Sequence, residues 1–172
     1  MTTAAGNTAA SKNAGSVERD LLRHMLATVA YRGGKTLRHA PPEFANFAIP
    51  NSPRTPLKIL AHIGDLFDWA LTIAKGQQAW NNAEPQSWDA EVDRFFLTLK
   101  ALDDFLAGSE PLHETPEKLF QGPIADALTH IGQLAMLRRI SGAPMKGENY
   151  HKAEIRSGQV GKDQPAPRRE FD

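Results

Sequence analysis

The chain has 172 residues, enough for one domain around a single core, and its twenty basic and twenty acidic side chains balance, so no global charge draws it to nucleic acid or an anionic membrane. It contains no cysteine, which excludes disulfides, thiolate metal ligands and a cysteine nucleophile. No segment has a membrane-spanning apolar run and the opening MTTAAGNTAASKNAG lacks a secretory pattern, so a cytoplasmic protein with no membrane partner is the expectation.

The first fifteen residues, rich in Ala, Thr, Asn, Ser and Gly, bury too little apolar surface to order and read as a disordered tail, 1–15. Helical spacing of Leu21, Leu22, Met25, Leu26 and Val29 then predicts a first helix over 16–32, stopped by Gly33 and Gly34. A stiff Pro-rich connection, HAPPEFANFAIPNSPR, is long enough to cross one end of a bundle. It leads to Thr55-Pro56, an N-cap followed by proline where its missing N–H does no harm. The second helix carries Ile59, Leu60, Ile63, Leu66, Phe67 and Ala70 on one stripe and exits at Gly76. Ser87 caps a third, with Val92, Phe95, Phe96, Leu99, Leu102, Phe105 and Leu106 as its apolar face and Gly108 as its stop. Thr115-Pro116 opens a short helix, and Gly122-Pro123 predicts a kink or restart before the last helix, DALTHIGQLAMLRRI, which ends at Gly142 and Pro144. These elements predict an all-α four-helix bundle over 16–142, with a long crossover loop between helices 1 and 2. Residues 143–172 form an irregular C-terminal extension that wraps the bundle and then frays.

Familiar local motifs fail on spacing. GGKT at 33–36 lacks the first glycine of a phosphate-binding loop and follows a helix, while His113-Glu114 lacks the second histidine of a metalloprotease. His24 and His39 fit no pattern. The chemistry therefore has to lie across helices. Asp126 and His130 stand one helical turn apart on a stripe that continues through Gln133, Leu134, Leu137 and Ile140, and His62 lies at the edge of the stripe of helix 2. If those two helices are neighbours, two imidazoles and a carboxylate converge with positions left for water or substrate, a set that suits Zn²⁺, Ni²⁺, Fe²⁺ or Mn²⁺.

LKILAHIGDLFDWAL and DALTHIGQLAMLRRISG together resemble the DinB-like metalloproteins, the superfamily of four-helix bundles that includes the mycothiol-dependent enzymes. The resemblance covers most of 16–142. His62 matches the ligand histidine of helix 2, His130 before Gly132-Gln133 matches the last ligand, and Asp126 stands where many members have a histidine. It implies a bound divalent metal that holds and deprotonates a low-molecular-weight thiol cosubstrate, a transferase or hydrolase acting on a small electrophilic molecule, and a homodimer.

Around this centre, Asp65 reads as the hydrogen-bond partner of His62, ahead of Asp68, and Trp69 lies on the same side of the helix. Gln133 orients a ligand or bonds across helices. Tyr31 and Arg32 are candidates to meet a substrate anion, and Tyr150 and His151 to close over the bundle mouth as a lid, with ordinary loop anchoring as the alternative for Tyr150. The competing reading of the whole chain is a non-catalytic, dimeric binding or stress-associated bundle whose polar stripe is a hydrogen-bond network without metal. The Phe-rich stripe of helix 3 is core or a dimer face.

Overall fold

The computed structural model describes residues 5–172, with side chains from residue 15 onward. It is mostly helical, with four long helices: α1 (Ala5–Leu37), α2 (Pro56–Ala74), α3 (Trp88–Ala107) and α5 (Ala125–Ile140), the last preceded by the single-turn α4 (Pro116–Leu119). The predicted caps are in place. The hydroxyls of Thr55, Ser87 and Thr115 accept from the backbone N–H groups of Lys58, Ala90 and Lys118, and prolines fill the first helical position of α2 and α4.

Two boundaries differ from the sequence expectation. The tail predicted over 1–15 falls partly on residues 1–4, outside the described residues, and from Ala5 the backbone is already helical. Gly33 and Gly34 do not end α1, which runs on to Leu37. Their lack of a side chain serves packing, since a Cβ on Gly33 would sit 2.5 Å from Phe95 Cζ, and one on Gly34 would lie 3.4 Å from Phe96 Cζ. Gly108 closes α3 where expected, in extended geometry with φ −77°, so the positive φ open to glycine is not used there.

Gly122-Pro123 causes no break. A π-helical turn, Phe120–Ile124, joins α4 to α5, and Pro123, which has no N–H to donate, is absorbed inside it.

The four long helices form a ring in which α1 and α2 each pack on both α3 and α5. Side-chain pairs give their directions. Arg23 meets Asp103 while Gly33 meets Phe95, so α1 and α3 are antiparallel; Asp65 meets Arg94 while Lys75 lies over Phe105, so α2 and α3 are parallel. Leu26, Val29, Leu60, Ile63, Phe67, Phe95, Leu99 and Leu134 fill the space between them in one continuous core. The Phe stripe of α3 is thus core. Because α1 and α2 face each other across the ring, residues 38–55 must cross the bundle end, and the short 3₁₀ turn Pro42–Asn46 buries Phe44 there.

The parallel α2/α3 pair has a second consequence that local patterning could not show. Residues 75–87 must run back along α2 before α3 can start, and they do: Ala79 bonds to Thr72 and Ala83 to Asp65. The C-terminal extension does pack on the bundle, but its end is not frayed. Residues Glu170–Phe171 pair antiparallel with Gly147–Glu148, and Lys35 of α1 reaches both Glu148 and Glu170. Among the described residues, no helix is long and apolar enough to cross a membrane.

Candidate metal centre

α2 and α5 are direct neighbours, which is the condition the predicted constellation required. On α2 the apolar residues Ile59, Ile63 and Leu66 turn inward, leaving His62 at the edge of the buried stripe with 26% of its side chain accessible. On α5, Asp126 and His130 share a face. The i, i+4 spacing alone achieves this, and the π turn just ahead of α5 sets how that face is rotated relative to α4.

The three side chains converge. His130 Nε2 lies 3.4 Å from Asp126 Oδ1, His62 Nε2 lies 3.9 Å from Asp126 Oδ2, and the two imidazole rings stand edge to face with centroids 4.8 Å apart. One donor atom from each residue falls within 4.8 Å of the others. For ligand bonds of about 2.1 Å, the 3.4 Å separation corresponds to a ligand–metal–ligand angle near tetrahedral, and a modest side-chain movement brings the widest pair into range. His130 is buried, whereas the Asp126 side chain is 47% accessible, so the group is open on its carboxylate side.

Two features prepare the donors. Gln133 Oε1 lies 2.8 Å from His130 Nδ1, and with that nitrogen donating to the amide oxygen, Nε2 keeps its lone pair for the Asp126 side. The pKa of His62 is held below its ordinary value, first by burial and then by the positive fields of His130 and Arg54, against the opposing pull of Asp126 and Asp65. The neutral, coordinating form is favoured. Two nitrogens and one carboxylate oxygen form a donor set that fits a borderline divalent cation and leaves further positions open.

Asp65 does not bond to the His62 ring. Its carboxylate takes the Arg94 guanidinium and the Ala83 N–H. Arg94, reaching from α3, also donates to the Ala61 carbonyl at 3.1 Å and to Asp68 at 2.8 Å. Both acids therefore tie α3 to the turns of α2 that follow His62, and Asp65 also holds the returning 75–87 segment there. Trp69 likewise lacks direct contact with His62; its ring meets Trp80 at 5.6 Å, and Trp80 stands edge-on to His62 at 5.7 Å. Trp80 was missed because it sits in a loop, although a single Trp in the polar stretch GQQAWNNAEPQ is a warning that something holds it.

Compared with known proteins, the chain matches no family model, no curated protein and no solved structure.

The remaining candidates gather elsewhere, on the outer face of α1. The Tyr31 hydroxyl donates to Glu148, the Tyr31 and Tyr150 rings meet at 6.3 Å, and Arg32 lies over the Tyr150 ring at 4.6 Å. His151 follows in the adjoining 3₁₀ turn, its N–H bonded to the Asn149 side chain. Tyr31, Arg32 and Tyr150 anchor the C-terminal extension instead of joining the His62, Asp126 and His130 group. Of the two readings of Tyr150, lid or loop anchor, its contacts with Tyr31 and Arg32 are those of an anchor, because the extension docks on the side of α1 that carries Tyr31 and Lys35.

Proposed function

We propose that the chain is a divalent-metal-dependent enzyme of DinB-like four-helix-bundle type, with His62, Asp126 and His130 as ligands. The carrying observation is that these donors converge without bonding one another. A polar network free of metal would draw N–H and O together to about 2.7–3.2 Å, whereas the two imidazole–carboxylate separations here are 3.4 and 3.9 Å. The Gln133 contact points the same way, since an Nδ1–H donated to its amide oxygen turns Nε2 of His130 toward Asp126 as a donor atom.

Zn²⁺, Ni²⁺, Fe²⁺ or Mn²⁺ suits this donor set, and such a cation lowers the pKa of a thiol or water placed beside it. The chain's own part is positional. His62 and His130 offer ring nitrogens from neighbouring helices, half-exposed Asp126 leaves one side open to a small substrate, and Trp80 walls the His62 side. The chain holds no cysteine, so a sulfur nucleophile has to arrive as a low-molecular-weight thiol. The resemblance in LKILAHIGDLFDWAL and DALTHIGQLAMLRRISG supports a thiol transfer to an electrophile, or its hydrolysis, as the reaction class.

Elemental analysis of protein purified without a tag tests the centre. About one equivalent of divalent metal is expected in the wild type and little in His62→Ala or His130→Ala with the fold retained. Equal metal content in all three proteins, or none in the wild type after incubation with each of the four cations, would refute it.

A further inference from the structure

One turn beyond the proposed ligands, the α2–α5 groove opens into a cleft of about 260 Å³ lined by Ile49, Ile59, Met136, Leu137 and Ile140, with Arg54 and Gln133 among its polar members. Gln133 belongs to both places: its side chain holds His130 and its position lines the cleft. The lining is otherwise unusual for an outer helix surface. Met136 and Ile140 are 59% and 54% exposed, although they lie on the same side of α5 as the buried Leu137. Arg54 bonds through its backbone N–H to Ser52 Oγ, and its guanidinium meets no carboxylate among the described residues. A concave aliphatic surface with one uncompensated cation at its edge is complementary to one kind of ligand.

We propose that this cleft binds the substrate, a small amphipathic carboxylate whose aliphatic body lies against Ile59, Met136 and Ile140 and whose carboxylate pairs with Arg54. The assignment of the ligand as substrate rests on the metal-enzyme reading; the binding itself does not. Size sets the class, since a drug-sized ligand fills roughly 300–1,000 Å³ and this cleft falls just below that range. A second copy of the chain is a poorer occupant, because covering the cleft with an apolar face would bury the Arg54 charge without a partner.

The test uses the full chain, free of metal, with methionine methyl groups labelled for NMR and octanoate as the probe. Met25, which lines a separate apolar cleft with Leu21 and Phe120, is the internal control. Octanoate should shift Met136 and leave Met25 unmoved, and octanol should bind more weakly. Arg54→Gln should cut octanoate affinity by roughly fivefold, the upper range for an exposed ion pair, without changing octanol binding. Loading the protein with Co²⁺ should then broaden the resonances of bound octanoate. Equal binding of octanoate and octanol, an Arg54→Gln variant that binds octanoate like the wild type, or a response at Met25 in place of Met136 would each overturn the proposal. So would Met136 shifts that follow protein concentration alone, which would place a second copy on the cleft. Carboxylate binding in a protein that takes up no metal would sink the enzyme reading and leave the cleft standing. Metal uptake without carboxylate binding would do the reverse.

Discussion

Replacing Gln133 with leucine isolates the one hydrogen bond that prepares a proposed ligand. In the native protein the amide oxygen, 2.8 Å from His130 Nδ1, holds the imidazole in the tautomer that presents Nε2 to the cation. An aliphatic side chain at this position would leave Nδ1–H to water and free the ring to rotate. Removing such an outer partner typically weakens metal affinity by about 10–100-fold. Gln133 is exposed and water can replace part of its role, so the lower end, about tenfold or 1.4 kcal/mol, is the expected loss. Gln133→Glu should act in the opposite sense, since a carboxylate acceptor makes the imidazole a stronger donor. Competitive titration of Zn²⁺ against a chromophoric chelator near neutral pH reads both variants. Unfolding of the metal-free proteins serves as the control, and an exposed substitution should move it by no more than about 0.5 kcal/mol. If Gln133→Leu binds Zn²⁺ as tightly as the wild type, or if both variants lose affinity alike, Gln133 does not orient His130 and that part of the argument for the ligand assignment fails.

Three further outcomes follow from the packing. Gly33→Ala should destabilise the fold by about 1–3 kcal/mol because its Cβ would meet the Phe95 ring, whereas Gly132→Ala, whose Cβ faces open space on α5, should stabilise by about 0.5–1 kcal/mol; equal effects in chemical denaturation would refute the close α1–α3 contact. Arg138 is buried and donates to the carbonyls of Thr36, Arg38, His39 and Ala143, joining the C-terminal ends of α1 and α5, so Arg138→Lys, with no planar fork, should cost about 2 kcal/mol; a loss under about 0.5 kcal/mol would show that the carbonyls find other partners. The Tyr31 hydroxyl is pushed above its ordinary range, first by burial and then by its bond to Glu148. At Lys35 burial pulls the value down, but the bonds to Glu148 and Glu170 outweigh it and raise it. Above about pH 10 the unfolded chain therefore releases protons that the fold retains, so this stabilisation is complete below about pH 10 and is lost as pH rises further. Thermal midpoints measured into alkaline pH should fall less steeply for Tyr31→Phe than for the wild type; parallel curves would exclude the clasp as a source of alkaline instability.

Helix positions and the faces they present are set by neighbours a few residues away, and these were legible from the sequence alone. Thr55, Ser87 and Thr115 act as caps because a hydroxyl satisfies an N–H three residues on, whatever the rest of the chain does. Asp126, His130 and Gln133 share a face for the same local reason, which is why most of the candidate centre was visible before any fold. Where Asp65 and Trp69 point their bonds was not visible, since that depends on Arg94 arriving from α3 and on Trp80 being carried back past His62. The parallel arrangement of α2 and α3 decides both, and no short-range pattern records the direction in which two helices pack. Gly33 and Gly34 make the same point in reverse: alone they resemble a helix stop, and only the Phe95 and Phe96 rings, far along the chain, turn them into a close helix contact. The C-terminal clasp on Tyr31 and Lys35 likewise exists only once the bundle supplies a surface, because polar residues punctuated by Gly and Pro carry no periodicity of their own.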